Sequence, residues 1–265
     1  MEPLLKVTNL NKSFGGVRAI VNLSYSVEAG KICAIIGPNG SGKTTLINLI
    51  TGVLEADSGD IRFDGMSIRG LPRSKIARLG ITRTFQNLRL FNTLSVLDHV
   101  MAGRFVRSQA SFVSSVCLTS FARAENRENV DKCMELLEMV GLAGKEHLPA
   151  RSLPYGQRRQ LEIARALATE PRLLFLDEPA AGMSSGEIRE LIKLIFKIRA
   201  QGITVVFIEH RMPVVMTAAD DIVVLNYGQS IAQGSSEAIQ SDPEVIKAYL
   251  GTAYKRELDP VAERG

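Results

Sequence analysis

The sequence predicts an α/β fold: a parallel sheet flanked by helices, with an antiparallel β-subdomain on its N-terminal side and a block of helices in mid-chain. Three observations carry that reading. The near-continuous apolar run Ile32–Ile36 leads through a glycine-rich turn into apolar residues at helical spacing over 44–54, the pattern of a buried strand, a loop and a helix. From 97 to 142 the apolar spacing is helical. After Gly156, helix-period and strand-like segments alternate, as they do where crossover helices link parallel strands.

Taken in order, residues 4–30 alternate in stretches such as Leu5-Lys6-Val7 and Leu23-Ser24-Tyr25-Ser26-Val27, broken by Gly15-Gly16 and Ala29-Gly30, so a small antiparallel sheet opens the chain. After the 44–54 helix, short strands are expected at 60–63 and 81–85, separated by Gly65 and the turn-forming Gly70-Leu71-Pro72. In the helical block, Val130, Cys133, Met134, Leu137 and Val140 form the apolar stripe. The Ser- and Phe-rich stretch 104–124 has no clean period and receives no element. The alternation then reads as helix 157–168, strand 173–176, helix Ser185–Ala200, strand Thr204–Ile208 and strand 222–225, with a loose polar tail at the end.

The 265 residues are 45% apolar and 23% charged, ordinary globular composition with length for one large domain or two small ones. No apolar run reaches the ~18 residues that span a bilayer, and the first ten residues lack the basic-then-apolar build of a secretory signal. The expectation is a chain that folds in the cytosol. Cys33, Cys117 and Cys133 are odd in number and lack C-x-x-C spacing, which argues against a disulfide framework or a zinc knuckle. His99, His147 and His210 are too scattered for a locally read metal cluster. The net charge of +4 is spread among interleaved acids and bases, so no nucleic-acid partner is implied.

Gly37-Pro38-Asn39-Gly40-Ser41-Gly42-Lys43-Thr44 has the spacing G-x-x-x-x-G-K-[ST], between a predicted strand and a predicted helix. Glycines let the backbone curl so that successive N–H groups face a phosphate, and the helix adds its positive N-terminal end. Lys43 would reach the β- and γ-phosphates, the Thr44 hydroxyl would ligate magnesium, and Thr45 belongs to the same phosphate-binding turn. A chance match in a chain of this length arises roughly once in a hundred cases, and the flanking elements lower that. A dinucleotide fingerprint on Gly40-x-Gly42 fails for want of a third glycine.

Four apolar residues at 173–176 end in Asp177-Glu178, placing two carboxylates where a parallel strand meets its loop. Asp177 would hold magnesium through its water shell, and Glu178 would orient and deprotonate the attacking water.

With these motifs in place, the chain resembles the ATPase subunits of ABC transporters over residues 4 to about 253. The resemblance implies a P-loop NTPase with a RecA-like parallel core, in which residues 1–87 and 156–253 form the nucleotide-binding core with its antiparallel sheet. Residues 88–155 would form a helical subdomain bearing the signature motif, and 254–265 a tail. Thr84-Phe85-Gln86 resembles the glutamine loop, whose Gln86 would touch magnesium and water and sense the membrane subunit. Leu153-Pro154-Tyr155-Gly156-Gln157 resembles the signature motif, with Tyr155, Gly156 and Gln157 at nucleotide, and Phe207-Ile208-Glu209-His210 the switch histidine. His210 would donate to the γ-phosphate, and Phe14 would stack on adenine. Pro154 and Ser184 depart from the family pattern, standing where many members have serine and aspartate.

Arg83-Thr84-Phe85-Gln86, Arg89-Leu90-Phe91, Tyr155-Gly156-Gln157-Arg158-Arg159, the run from Glu178 to Met183 and the run from Pro243 to Gly251 are similar to ATPase subunits of branched-chain amino acid importers. Related urea and lipopolysaccharide transporters share much of this. The implied cofactors are ATP and Mg2+. The implied partners are a second ABC ATPase subunit, identical or different, transmembrane permease subunits and, indirectly, a periplasmic or extracellular solute-binding protein, with the chain peripheral on the inner face of the membrane. A soluble ABC protein acting in DNA repair or translation is the rival, and such proteins usually bring a second cassette or a long coiled coil. Neither an internal repeat nor heptads occur here.

Overall fold

The computed structural model describes residues 2–84, 90–91, 93–107 and 120–249. In chain order the elements are β1 (Leu5–Phe14), β2 (Val17–Val27), β3 (Ile32–Ile36), α1 (Lys43–Ile50), β4 (Ser58–Phe63), β5 (Met66–Ser67), α2 (Arg73–Leu79), β6 (Ile81–Arg83), α3 (Val96–Arg104) and α4 (Ser120–Met139). They continue as α5 (Tyr155–Leu167), β7 (Leu173–Asp177), α6 (Ser185–Ala200), β8 (Thr204–Ile208), α7 (Met212–Ala218), β9 (Asp221–Asn226), β10 (Gln229–Gly234) and α8 (Ser236–Ser241). A last helix, α9, covers 243–249. These fall into two compact units, Met1–Pro72 with Thr204–Gly265, and Arg73–Ile203.

The first unit holds two sheets. One is antiparallel, in the order β2-β1-β4-β5, and accounts for the alternation read in the first 30 residues. In the other, β3 lies parallel to β8 on one side and to β9 on the other, and β10 returns antiparallel to β9. All five residues of β3 and all five of β8 are buried, so neither strand alternates and each reads as a continuous apolar run. Asp220 Oδ2 accepts from the Ile32 N–H at 2.8 Å, and Thr204 Oγ1 accepts from the Gly30 N–H at 2.9 Å, which sets where β3 begins. Helix α1 stops at Ile50, four residues short of the expected end. There the Thr51 hydroxyl donates to the Ile47 carbonyl at 2.7 Å, and Gly52 turns the chain at φ 67°, a conformation that ends helices cheaply only at glycine.

In the second unit β6 and β7 pair in parallel, Ile81 opposite Leu173. The strand expected at 81–85 runs only from Ile81 to Arg83, and Phe85 lies outside the described residues. Helices α3, α4 and α5 pack together. Of the expected α4 stripe, Cys133, Leu137 and Val140 are buried, whereas Met134 is 39% exposed, because the stripe is narrower than the run of apolar residues that suggested it. Helix α5 starts two residues earlier than expected. Pro154, at φ −55° and ψ 159°, is its N-cap, and its fixed φ lets the helix begin at Tyr155. Most of the stretch 104–124, given no element from sequence, lies outside the described residues. Among the described residues no helix is long and apolar enough to cross a membrane.

Candidate functional site

The first unit carries the phosphate loop between β3 and α1. Gly37, Gly40 and Gly42 have φ of 153°, 81° and 104°, so the loop depends on glycine backbone freedom. A β-carbon at Gly37 would collide with the Leu225 carbonyl, and one at Gly42 would stand 2.6 Å from the Ala19 carbonyl. The loop is braced from the β9–β10 turn, where the Gly228 N–H donates to the Ser41 carbonyl at 3.0 Å. Lys43 is buried, and its ammonium donates to the Gly37 carbonyl at 2.8 Å and the Pro38 carbonyl at 2.9 Å. A cation held inside a curl of backbone, at the N-terminus of a helix with no acid in its first turn, is a ready site for a polyphosphate. Thr44 is exposed and Thr45 half-buried at that same turn.

His210 follows β8 and is exposed. Beneath it Glu209 is buried, and its carboxylate accepts from the His210 N–H at 3.1 Å and the Arg211 N–H at 3.4 Å, so the turn presenting the imidazole is held from inside. Sequence reasoning gave Glu209 no role. The signal was there: an acid ending an apolar strand next to the candidate histidine. Phe14, last residue of β1, is 45% exposed, with the Lys12 ammonium 5.5 Å from its ring centre. A cavity of about 510 Å3 lies against the loop, walled by Pro38, Asn39 and Ser41, by Asn226 and Tyr227, and by Lys247 of α9. At the end of that helix, burial pushes the Tyr249 phenol up to about 12, against the opposing pull of the Gly37 backbone N–H.

The second unit carries the acidic strand end. Asp177 closes β7, is buried, and lies 3.3 Å from Arg83 Nη2, while its N–H donates to Thr84 Oγ1 at 3.4 Å. Glu178 has φ 46°, left-handed backbone that is costly for a residue with a long side chain. Such strain persists where the surrounding structure enforces it and clusters at working sites. Gln86 lies outside the described residues.

The signature segment opens α5. Tyr155 is 38% exposed and stacks on Arg159 at 5.6 Å. Gly156 is buried at the helix start, where a β-carbon would run into the Glu187 carboxylate. That carboxylate accepts from the Ser184 N–H at 2.8 Å and the Ser184 hydroxyl at 2.7 Å, while the Ser184 hydroxyl accepts in turn from the Glu187 N–H, closing a capping box on α6. The Ser184 N–H and hydroxyl, with a further contribution from the Gly156 N–H, hold the Glu187 carboxyl below its ordinary range. Ser184 is thus an effective helix cap. Gln157 accepts from the Lys145 ammonium at 2.7 Å.

Within the first unit the residues fit the polyphosphate of ATP, with a glycine curl that β-carbons would obstruct, a buried ammonium at a helix N-terminus and, in the Thr44 hydroxyl, a hard oxygen of the kind Mg2+ takes; in the second unit the Asp177 carboxylate is a hard oxygen donor of the same kind. The family model described as ABC transporter matches residues 20–181, and one described as branched-chain amino acid ATP-binding cassette transporter matches residues 229–255. The chain is 43% identical to the high-affinity branched-chain amino acid transport ATP-binding protein BraF of Pseudomonas aeruginosa, over 95% of this chain and 99% of that one. It is 40% identical to LivG of Escherichia coli, with the same coverage. Among solved structures, the ADP conformation of the cassette MJ1267 is similar with a TM-score of 0.83 and 35% identity, covering 95% of this chain and 100% of that one. A nucleotide-free cassette from an ABC transporter gives 0.81 and 35%, covering 94% and 99%. This chain belongs to the ABC transporter family, as one of its ATP-binding cassette ATPases.

Proposed function

We propose that the chain hydrolyses ATP to energise import of branched-chain amino acids, working at the cytoplasmic face of the membrane through permease subunits. One observation carries the solute assignment: relatives named for branched-chain amino acid transport match it over their whole length, through the C-terminal segment 229–255. ATP supplies the phosphoanhydride bond that is broken, and Mg2+ the charge that neutralises its phosphate oxygens. Lys43 binds the β- and γ-phosphates together with the loop N–H groups. Phe14 offers its exposed ring to adenine. Thr44, Asp177 and Gln86 would supply the oxygen ligands of the metal, as the family resemblance implies. Glu178 orients water and accepts its proton at the carboxylate. His210, steadied by Glu209, donates to the γ-phosphate as charge grows there. Tyr155, Gly156 and Gln157, where the helical lobe at 88–155 meets the core, face nucleotide held by a second ATPase subunit, so that ATP closes the pair and hydrolysis opens it.

The test is copurification of the chain with its membrane subunits and reconstitution with the solute-binding protein. ATP-dependent uptake of labelled leucine, isoleucine or valine is expected. Uptake of urea alone, lipopolysaccharide extraction, or a complex with no membrane subunit would overturn the solute assignment and leave the ATPase chemistry standing.

A further inference from the structure

We propose that Arg159 is a positioning residue for hydrolysis: through the Tyr155 ring it holds the turn that follows Glu178, and so sets where the Glu178 carboxylate stands in its own chain. The inference rests on the reading of Glu178 as the base. Tyr155, Arg159 and Glu162 follow one another on α5 at spacings of four and three residues, which puts their side chains on one face of the helix. Arg159 and Glu162 are both buried, and Arg159 Nη1 donates to Glu162 Oε2 at 3.2 Å. Arg159 Nη2 donates to the Tyr155 hydroxyl at 3.1 Å, and the guanidinium carbon lies over the ring, 5.6 Å from its centre. The phenol is therefore held both at its tip and on its face. A planar fork of donors can do both at once, which the point charge of a lysine cannot.

The ring held in this way lies against Gly182. A β-carbon there would stand 3.2 Å from Tyr155 Cε1 and 3.4 Å from Cζ, and Gly182 has φ 73°, so the ring covers bare backbone in a left-handed turn. That turn begins at Glu178, itself at φ 46°. The Ala181 N–H donates to the Glu178 carbonyl at 3.1 Å and the Met183 N–H to the Ala180 carbonyl at 3.2 Å, with Ala180 and Met183 buried. At its far end Ser184 caps α6. Strained backbone keeps its conformation only where its surroundings enforce it, and the group packed on Gly182 is the Tyr155 ring. A buried ion pair adds little net stability, because desolvation offsets its attraction. Arg159 and Glu162 thus secure a position more than they secure the fold. The series Glu162, Arg159, Tyr155, Gly182, Glu178 is contiguous, and it ends on a group whose misplacement by about 1 Å is enough to slow the reaction.

Hydrogen exchange and a mutant cycle test it. In the isolated chain without nucleotide, Arg159→Met should speed exchange of the Ala181 and Met183 amides about tenfold while the amides of β3 keep their wild-type rates. Unchanged exchange at Ala181 and Met183 overturns the brace. In the assembled transporter the same variant should lower kcat about tenfold and leave KM for ATP at the wild-type value. A raised KM at unchanged kcat would place Arg159 in nucleotide binding and overturn the proposal. Tyr155→Phe keeps the ring and removes the hydroxyl that accepts from Arg159, so it should lower kcat by a smaller factor, and adding it to Arg159→Met should cost nothing more. Should Arg159→Met not fold, a wild-type kcat for Tyr155→Phe overturns the proposal by itself. The deciding comparison is made in the Glu178→Gln background, where Arg159→Met should leave the residual turnover unchanged because the group it positions is gone. A further tenfold loss there means that Arg159 acts on something other than Glu178. Wild-type hydrolysis by Glu178→Gln alone counts against the reading of Glu178 as the base instead, and the exchange rates still decide whether Arg159 holds the turn.

Discussion

At the scale of single residues, the chain spends its unusual backbone and its buried charge where the resemblance places nucleotide. Lys43 is held by loop carbonyls at 2.8 and 2.9 Å, so Lys43→Ala removes the cation and leaves those carbonyls without their donor. A charged hydrogen bond contributes about 1.5–3 kcal/mol, so ATP affinity should fall by ~10- to 100-fold, read by calorimetric titration. Glu178 allows a sharper test because its φ of 46° is strained for any residue but glycine. Glu178→Gly should keep or raise the unfolding midpoint while turnover drops by about 10²- to 10⁴-fold, the usual worth of a positioned general base. A large loss of stability would mean that the side chain is there for packing. Gly156 is constrained within its own unit, since any β-carbon meets Glu187. Gly156→Asp would set a second carboxylate against the first. We therefore expect loss of ATPase activity accompanied by a lower unfolding midpoint, and Gly156→Asp with Glu187→Gln should recover stability sooner than activity.

At the scale of elements, the C-terminal end of α5 is clamped by two arginines. Arg104, buried, donates from Nη1 to the Ala168 carbonyl at 3.1 Å and to Glu170 at 2.7 Å, and from Nε to Asn129 at 2.8 Å. Arg107 donates to the Thr169 carbonyl at 2.7 Å and the Glu170 carbonyl at 3.0 Å. Arg104→Ala leaves a buried carbonyl unpaired, so a destabilisation of about 2–3 kcal/mol is expected from denaturant melts. Lys193→Ala, which removes an exposed pair with Glu190, should leave the same midpoint unmoved. The Arg104 hydrogen bond is also the main cause that lowers the Glu170 carboxyl below its ordinary 4.5. A depressed carboxylate stabilises the fold above its unfolded value and loses that contribution as pH falls through the folded one. The gap between wild type and Arg104→Ala should therefore narrow in acid, below the ordinary 4.5.

For the whole molecule, thiol chemistry reports on integrity. Cys33 is buried on β3, and burial pushes its thiol far up, while burial also pushes Cys133 up to about 11. Neither supplies thiolate near neutral pH, so a thiol reagent should leave Cys33 and Cys133 unmodified in the native protein and label all three cysteines after unfolding. Rapid native labelling of Cys33 would contradict the buried central sheet. Assembly offers a second measurement. With Glu178→Gln, hydrolysis stalls while binding persists, and an ATP-dependent doubling of mass in gel filtration is the expected result.

What the sequence determined by itself were features written in adjacent residues. The phosphate loop, the apolar strands Ile32–Ile36 and Thr204–Ile208 and the acids ending β7 all depend on local spacing, because a buried parallel strand and a glycine curl each demand their own run of residue types. The antiparallel opening sheet was legible for the same reason, through its alternation. Tertiary structure alone decided what depends on partners distant in sequence. Glu209 under His210, Glu187 against Gly156 and the Phe91 amide on the His99 ring are polar groups whose meaning is set by what folding packs beside them, and no local period records such pairings. The end of α1 at Ile50 and the exposure of Met134 follow the same rule. A helix stops where a glycine can turn it, and a stripe is buried only as far as neighbouring elements cover it.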